Sequence, residues 1–391
     1  MRCLVSILYS FLFICLLCTG IPRLCHATTA QKVRIGIMAP LTGKWAAEGE
    51  DARRLLELLT AQWNASGALG NITLQLEFQD DAGDPRTAAL AVQKLIAMDV
   101  VAIISVYGSS VTEATQALVH EAGLVQFSSG ATSVRLTEKQ LPHFFRMGPR
   151  DDAQSRKAVE FLKKQHINRL AIVHDNTSHP RGFAEEVQQI LTTEAQNDSP
   201  KIVFFDALPA GQRDYSAVLQ KIRQTNPDLL LYTGYYPETA LLLRQKAEMH
   251  WPVPMLGGDA SNHQDLVAMA GVSTAQGYMF LSAPMPQYLH TPEAKKFLTA
   301  YTQKYHHWPL SVWSALSGDA LNLVAQAFSQ GFTTARALAN YVHTLTITAP
   351  YPGLTGPVAF DPKGDRIGDL YMLYTVDKGV FVPKTFGKPN P

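Results

Sequence analysis

Cysteine is nearly missing from this chain: there are four in 391 residues, and all of them lie within the first 25. The rest of the sequence therefore holds no disulfide bond, although its N-terminus points to an oxidising destination. A charge excess is missing too, since 34 Lys and Arg balance 33 Asp and Glu to a net charge of +1. This balance gives no electrostatic reason to expect nucleic-acid binding.

The motifs of common enzyme classes are also missing. There is no Gly-x-Gly-x-x-Gly, no Walker loop, no Gly-x-Ser-x-Gly elbow and no His-Glu-x-x-His. His174 and His179, with Asp175 between them, could form a metal site, but histidines in irregular loops are far more often without a metal. We therefore expect no metal, no cofactor and no catalysis. A secreted hydrolase would need Ser109 as its nucleophile, and the predicted topology places no histidine beside that residue.

The first 27 residues are typical of a cleavable secretory signal. Arg2 is positive, residues 4–17 are almost continuously apolar, and Cys25-His26-Ala27 offers small residues at the positions that signal peptidase reads. The apolar run is shorter than the roughly 20 residues that span a bilayer, and a leucine before each of the last two cysteines argues against a lipoprotein signal. We predict a periplasmic protein that starts near Thr28. Removal of two arginines changes its net charge from +1 to −1.

Short apolar runs alternate with amphipathic helical patterns through the remaining sequence, which predicts βαβ units and parallel sheets. The pattern begins with a strand over 33–38 and starts again after Arg150; long helices over 293–305 and 313–328 and a shorter one near 334–345 follow, and strands over 358–360 and 370–376 end the chain. The length favours two domains. No Pro/Gly/Ser-rich linker separates the two blocks, so we expect the chain to cross between them several times. The predicted fold class is α/β, with two doubly wound parallel-sheet lobes.

Polar residues follow four predicted strands at the point where each strand ends. They are Tyr107-Gly-Ser-Ser110, Ser128-Ser-Gly-Ala-Thr132, Tyr235 and Gly257-Gly-Asp259. Open α/β sheets bind ligands at this edge; hydroxyls and free N–H groups suit a carboxylate, and the acid of Asp259 suits an ammonium. Each stretch alone has an ordinary alternative, such as serine N-capping or an aspartate in a turn. Together they predict a site for a small zwitterion.

Seven further stretches carry a resemblance to a known family. They are Pro40-Leu-Thr-Gly43, Asp80-Asp-Ala-Gly-Asp-Pro85, Ala171-Ile-Val-His-Asp175, Val203-Phe-Phe-Asp206, Asp214-Tyr-Ser216, Gly234-Tyr-Tyr-Pro-Glu238 and Phe360-Asp-Pro-Lys-Gly-Asp365. With them the chain resembles the type I periplasmic solute-binding proteins of branched-chain amino acid ABC transporters over essentially its whole mature length.

The resemblance implies two α/β lobes that close on a ligand about a three-crossover hinge, with crossovers near Arg150, Ala283 and Leu354. One lobe would hold residues 31–150 plus 283–354, and the other 151–282 plus 355–386. It also implies a monomer that captures an amino acid or close analogue and delivers it to a membrane permease. A sensor or regulator of the same fold is the alternative.

The resemblance also assigns roles to residues of the site. Ser109 and Thr132 would hold the ligand carboxylate, while Gly130, Thr132 and Asp259 would hold its ammonium. Tyr235 would reach across from the second lobe. A disulfide that a family member has near the site falls on Gly83 and Gly108 here, so both of its cysteines are lost together.

The chain departs from the family where the ligand's side chain would lie. Glu48 replaces a pocket-lining aromatic residue, Ser311 replaces a phenylalanine, and His179 replaces a tyrosine of the second lobe. These changes favour a more polar, cationic or larger ligand over plain leucine or valine. A ligand cation would offset the cost of burying Glu48. Two alternatives stay open: Glu48 faces solvent at the cleft mouth, or Trp45 takes the lining role.

Overall fold

The chain forms two lobes, each built around one sheet. The computed structural model describes residues 31–194, 199–209, 211–368 and 370–385, so the predicted signal segment lies outside the described residues. Within these ranges the strands form a five-stranded sheet, a seven-stranded sheet and a two-stranded ribbon. None of the helices described is both long and apolar enough to cross a membrane. The same ranges contain no group of three or more His, Cys, Asp or Glu residues that could hold a metal ion.

The first lobe surrounds a sheet whose neighbouring strands all run parallel, as the sequence pattern predicted. Its elements are β1 (Gln31–Ala39), α1 (Ala46–Ala65), β2 (Ile72–Asp80), α2 (Pro85–Ala97), β3 (Ala102–Tyr107), α3 (Ser109–Glu121), β4 (Val125–Gly130), α4 (Arg135–Glu138) and β5 (Phe144–Arg146). The strand order is β2-β1-β3-β4-β5. The central strand β3 is buried along its whole length, as expected for a parallel sheet that is covered on both faces.

The second lobe repeats the alternation of strand and helix. Its elements are α5 (Asp151–Lys164), β6 (Arg169–His174), α6 (Ser178–Thr193), β7 (Lys201–Ala207), α7 (Ser216–Gln224), β8 (Leu229–Tyr232), α8 (Tyr236–Glu248), β9 (Met255–Gly257), a 3-10 turn (Asp259–Ser261), α9 (Asp265–Ala270), α10 (Val272–Ala275) and β10 (Met279–Ser282). Strands β6 to β10 pair in parallel. Their carboxyl ends therefore share one edge of the sheet.

Residues 286–384 contribute elements to both lobes. They form a 3-10 turn (Pro286–Tyr288), α11 (Pro292–Tyr305), α12 (Val312–Ser329), α13 (Ala335–His343), β11 (Tyr351–Gly353), β12 (Gly356–Val358), β13 (Met372–Asp377) and β14 (Val380–Lys384). Helix α12 packs against α1, β3 and β4 of the first lobe. Strands β13 and β14 add an antiparallel hairpin to the second sheet, whose order is β14-β13-β10-β9-β8-β6-β7.

A buried arginine ties the segment after β12 to the first lobe. The guanidinium of Arg146 is fully buried and donates to Asp365 at 2.7 Å, and the ring of Phe360 lies 5.3 Å from that of Phe145. A buried guanidinium requires a carboxylate partner, and Asp365 provides it. These contacts attach residues up to about 366 to the first lobe, whereas the division based on resemblance moved the chain to the second lobe after 354.

Candidate functional site

Strand ends from the two lobes meet at one small interlobe cavity. Four of its lining residues come from the first lobe and four from the second; they are Tyr107, Gly130, Thr132, Trp313, His179, Tyr235, Asp259 and Ala260. Six of the nine predicted site residues are among them. The cavity measures about 10 Å³, which is room for roughly one water molecule. Entry of an amino acid therefore requires the lobes to separate.

The register of the first sheet sets the wall of that lobe. Tyr107 at the end of β3 pairs directly with Gly130 at the end of β4. A Cβ on Gly130 would come within 2.8 Å of the Tyr107 side chain, so glycine is required for this close approach. The carbonyl of Gly130, which we expected to hold an ammonium, already accepts the N–H of Gly108 at 2.9 Å. It can still accept from a ligand, because a carbonyl has two lone pairs.

Ser109 lies just behind the cavity and fixes the loop that follows β4. It is the first residue of α3, it is buried, and its hydroxyl accepts the backbone N–H groups of Thr132 and Ser133 at 3.2 Å each. The amides that we expected to hold a carboxylate are therefore bonded to Ser109 in this closed state. The first-turn N–H groups of α3 have no partner within the helix, and they remain donors at this edge.

The loop that carries Thr132 is also held from the other side. The Nη1 atom of Arg146 donates to the carbonyls of Ala131 at 3.0 Å and Ser133 at 2.8 Å, which flank Thr132. The ion pair between Arg146 and Asp365 therefore helps to position Thr132 in the cavity wall. Nothing in the sequence pattern pointed to Arg146, because its side-chain partners lie in two segments, 131–137 and Asp365, that are far apart in the chain.

His179 connects the two lobes. It is buried in the first turn of α6, and its Nδ1 lies 2.8 Å from both Asp151 Oδ1 and Thr132 Oγ1. Its Nε2 lies 3.4 Å from Asp259 Oδ1, beyond the usual hydrogen-bond range. Burial opposes a charge on the ring, but the carboxylates of Asp151 and Asp259 outweigh it and raise the pKa of His179 to about 9. His179 is therefore an imidazolium at neutral pH, with a proton on each nitrogen.

Asp259 lies at the start of the 3-10 turn after β9, at the edge where the sequence predicted it. Its Oδ2 accepts the hydroxyl of Tyr371 at 3.0 Å. Burial raises the pKa of its carboxyl to about 6, and the imidazolium of His179 opposes that increase. Asp259 is thus largely ionised at neutral pH and faces the cavity, as an ammonium partner must.

Glu48 is buried, so it does not face solvent at the cleft mouth. It is 1% exposed, and neither carboxyl oxygen has a hydrogen-bond partner. Burial raises the pKa of this carboxyl well above its ordinary value, although the Ser311 hydroxyl acts to lower it. Glu48 does not line the cavity. Ser311, also buried, caps α12 by accepting the N–H of Trp313 at 3.1 Å.

Two tryptophans complete the aromatic wall. The ring of Trp45 lies 4.4 Å from that of Tyr235 and 5.3 Å from that of Tyr107. A Cβ added to Gly83 or Gly108 would come within 2.5 or 3.3 Å of this indole, so the two positions assigned to a family disulfide both face the Trp45 ring. Sequence reasoning missed Trp313, which lines the cavity. Its position in the first turn of a helix that follows a serine cap was the available signal.

Comparison with known proteins gives a consistent result. A family model described as periplasmic binding protein matches residues 32–380. The Leu/Ile/Val-binding protein homolog 2 of Brucella abortus is 26% identical over 353 residues, which cover 90% of this chain and 92% of that protein. The leucine-binding protein LivK of Thermotoga maritima superposes with a TM-score of 0.82 at 24% identity, covering 90% of this chain and 98% of that one. LivJ of Streptococcus pneumoniae in complex with isoleucine gives 0.80 at 24%, covering 90% and 100%.

Proposed function

Because this chain belongs to the periplasmic binding protein family, we propose that it captures an amino acid or close analogue between its lobes and delivers it to an ABC permease. The observation that carries this proposal is the convergence of Tyr107 and Thr132 with His179 and Asp259 on one closed interlobe cavity. The Brucella relative is named for the binding of Leu, Ile and Val, which supports an amino-acid head group. Periplasmic location through the N-terminal signal, and function as a monomer, belong to the same proposal.

Capture by closure follows from contacts that only the closed form can make. The hydroxyl of Tyr236 donates to the carbonyl of Lys44 at 3.1 Å, and the ammonium of Lys44 lies 5.3 Å from the centre of the Tyr235 ring. The Lys44 ammonium also lies 3.8 Å from Glu238 on α8. A ligand shifts the protein toward the closed form only if it binds that form more tightly. A permease that recognises the closed form then distinguishes loaded protein from empty protein.

The chemistry of Ser109 supports a binding role over hydrolysis. The hydrogen-bond partners of its hydroxyl are the backbone amides of Thr132 and Ser133, whereas a serine nucleophile needs a general base. His179, the buried imidazole that lines the cavity, pairs with Asp151, and its pKa is raised to about 9. It is therefore unable to accept a proton at neutral pH.

The direct test is a thermal-shift screen of the mature protein after ligand removal by unfolding and refolding. The panel contains the twenty amino acids and their simple carboxylic-acid and amide analogues. A ligand that binds the folded protein raises its free energy of unfolding by mass action, by about 2.7 kcal/mol at a ligand concentration 100 times the Kd. The melting temperature rises accordingly. Stabilisation by one chemical class supports the proposal, and no stabilisation by any member contradicts it.

Transport and sensing are separated by a second experiment. Radiolabelled ligand uptake is compared in cells with and without the gene, in medium that contains the ligand from the screen. Loss of uptake supports delivery to a permease. Unchanged uptake together with tight binding would favour the sensor alternative.

A further inference from the structure

Three side chains of the cavity wall carry buried polar atoms that make no hydrogen bond. The hydroxyl of Tyr107, the indole N–H of Trp313 and Nε2 of His179 are all buried without a hydrogen-bond partner; the group facing Nε2 is Asp259 Oδ1, at 3.4 Å. All three side chains line the cavity. Leaving a buried donor unsatisfied is costly. Three such atoms on one cavity are the expected sign of a ligand that supplies acceptors.

The chemistry of these atoms is one-sided. An indole N–H can only donate. His179 is held by Asp151 at Nδ1 at 2.8 Å, whereas its Nε2 lies 3.4 Å from Asp259 Oδ1, beyond the usual hydrogen-bond range. The tyrosine hydroxyl can donate as well. A hydrocarbon side chain, such as that of leucine, would leave all three donors unsatisfied in a dry cavity.

Two of the three donors, those of His179 and Trp313, are additional to the groups expected for the head of an amino acid. The carboxylate was assigned to the α3 N-terminus and the Thr132 loop, and the ammonium to Asp259. His179, by contrast, is a position that we expected beside the ligand's side chain. Trp313 lies two residues after Ser311, which is another such position.

We propose that the side chain of the ligand ends in an oxygen acceptor, a carboxylate or a carboxamide, that is bound by Tyr107, Trp313 and His179. The inference rests on the proposed function and adds the class of side chain. Tyr107 and Trp313 belong to the first lobe and His179 to the second. One acceptor group between them is bonded from both sides, so these bonds form only on closure and help the ligand to drive it.

Isosteric amino acids test the inference directly. Leucine, asparagine and aspartate have nearly the same shape, but the two terminal methyl groups of leucine are replaced by oxygen and nitrogen or by two oxygens. Methionine against glutamine and glutamate tests the longer side chain. Affinities for the refolded mature protein are measured by isothermal titration calorimetry. We expect at least one acceptor-bearing member to bind at least about tenfold more tightly than its hydrocarbon partner, since a site built to hydrogen-bond a ligand rejects the analogue that lacks the bond.

Leucine or methionine binding as tightly as its partners, or more tightly, overturns the inference but leaves the proposed function intact. Failure of all twenty amino acids and their analogues to bind overturns both. The two failures are therefore distinguishable within one data set.

Matched variants assign the effect to the donors. Tyr107→Phe removes one hydroxyl, and Tyr232→Phe is its control, because the hydroxyl of Tyr232 is equally buried and unpartnered but does not line the cavity. Trp313→Phe is paired with Trp251→Phe, because Trp251 is also buried but does not line the cavity. We expect each cavity variant to weaken the acceptor-bearing ligand roughly tenfold, the size of one such bond, and to narrow its preference over the hydrocarbon isostere. An unchanged preference in both cavity variants, with melting temperatures that show folded protein, overturns the assignment.

Discussion

Arg146 and Asp365, which are 219 residues apart in the chain, form a buried ion pair with 2.7 Å between Nε and Oδ1. The pair joins the last strand of the first sheet to the segment that leads into the second lobe. Arg146 also holds the two carbonyls on either side of Thr132. One interaction therefore supports both the crossover and the wall of the candidate site.

Asp365→Ala should destabilise the protein by about 3–5 kcal/mol, because it leaves a buried guanidinium without its carboxylate. The control is Glu185→Ala, which breaks the exposed pair between Arg181 and Glu185 and should change stability by no more than about 1 kcal/mol. Chemical denaturation of the ligand-free protein measures both. Equal effects of the two variants would contradict the structural role of Asp365.

The same pair predicts a loss of stability in acid. Burial acts to raise the pKa of Asp365, but Arg146 and Arg150 outweigh burial and lower this pKa below its ordinary value of 3.8. The folded protein binds this proton less tightly than the unfolded chain, so the stabilisation is present above pH 3.8 and is lost as the pH falls through the folded pKa. Unfolding curves at acidic pH should show a smaller pH dependence in Asp365→Asn than in the parent protein.

His179 predicts a pH dependence of the opposite sign. Its pKa is about 9 in the folded protein and 6.5 ordinarily, so the folded form binds the proton more tightly. The stabilisation is therefore complete below pH 6.5 and is lost as the pH rises through about 9. The melting temperature should fall across this window, and His179→Gln should flatten the fall. His174→Gln is the control, since that histidine lies outside the cavity and burial lowers its pKa. A parallel fall in parent and His179→Gln proteins would contradict the assignment.

Gly83→Ala should disturb Trp45, because the added Cβ would come within 2.5 Å of the indole. Gly67→Ala is a matched control: both glycines have positive φ, +66° and +72°, but nothing lies within 4 Å of a Cβ at Gly67. Each variant incurs roughly 1–2 kcal/mol from the left-handed backbone, and the clash should add about 1–3 kcal/mol at Gly83 alone. Denaturation and tryptophan fluorescence measure this difference. The difference in stability should shrink when Gly83→Ala and Gly67→Ala are each made in a Trp45→Ala background. A difference that persists there would assign the clash to another neighbour.

Gly318→Ala tests the packing of α12 on α1. A Cβ at this position would lie 2.7 Å from Leu55 and 3.0 Å from Leu59, so overpacking of about 1–3 kcal/mol should exceed the helix propensity gain of about 1 kcal/mol. Gly182→Ala, in helix α6 with its nearest atom at 3.9 Å, should instead be neutral or slightly stabilising. Stabilisation by Gly318→Ala in the same denaturation assay would show that the helices can separate without cost.

The sequence alone predicted the fold class and the family because both depend on local, repeated signals. Alternating strand and helix patterns gave the parallel sheets, and turn residues after strands marked the edge at which Tyr107, Gly130 and Asp259 meet. A strand's end and its neighbour's end lie together whenever the strands are parallel, so this edge follows from the pattern. The roles of these residues toward a ligand stay predictions.

Contacts between residues that are far apart in the sequence were decided only by the tertiary structure. The burial of Glu48, the pairing of His179 with Asp151, and the unsatisfied donor of Trp313 each depend on which distant segments fold against them. The periodicity of apolar residues predicts which face of an element is buried, but it does not predict which atoms pack against that face. The sequence thus determined two lobes and the sheet edges at which they meet, while tertiary packing decided the charge, the hydrogen-bond donors and the shape of the space between them.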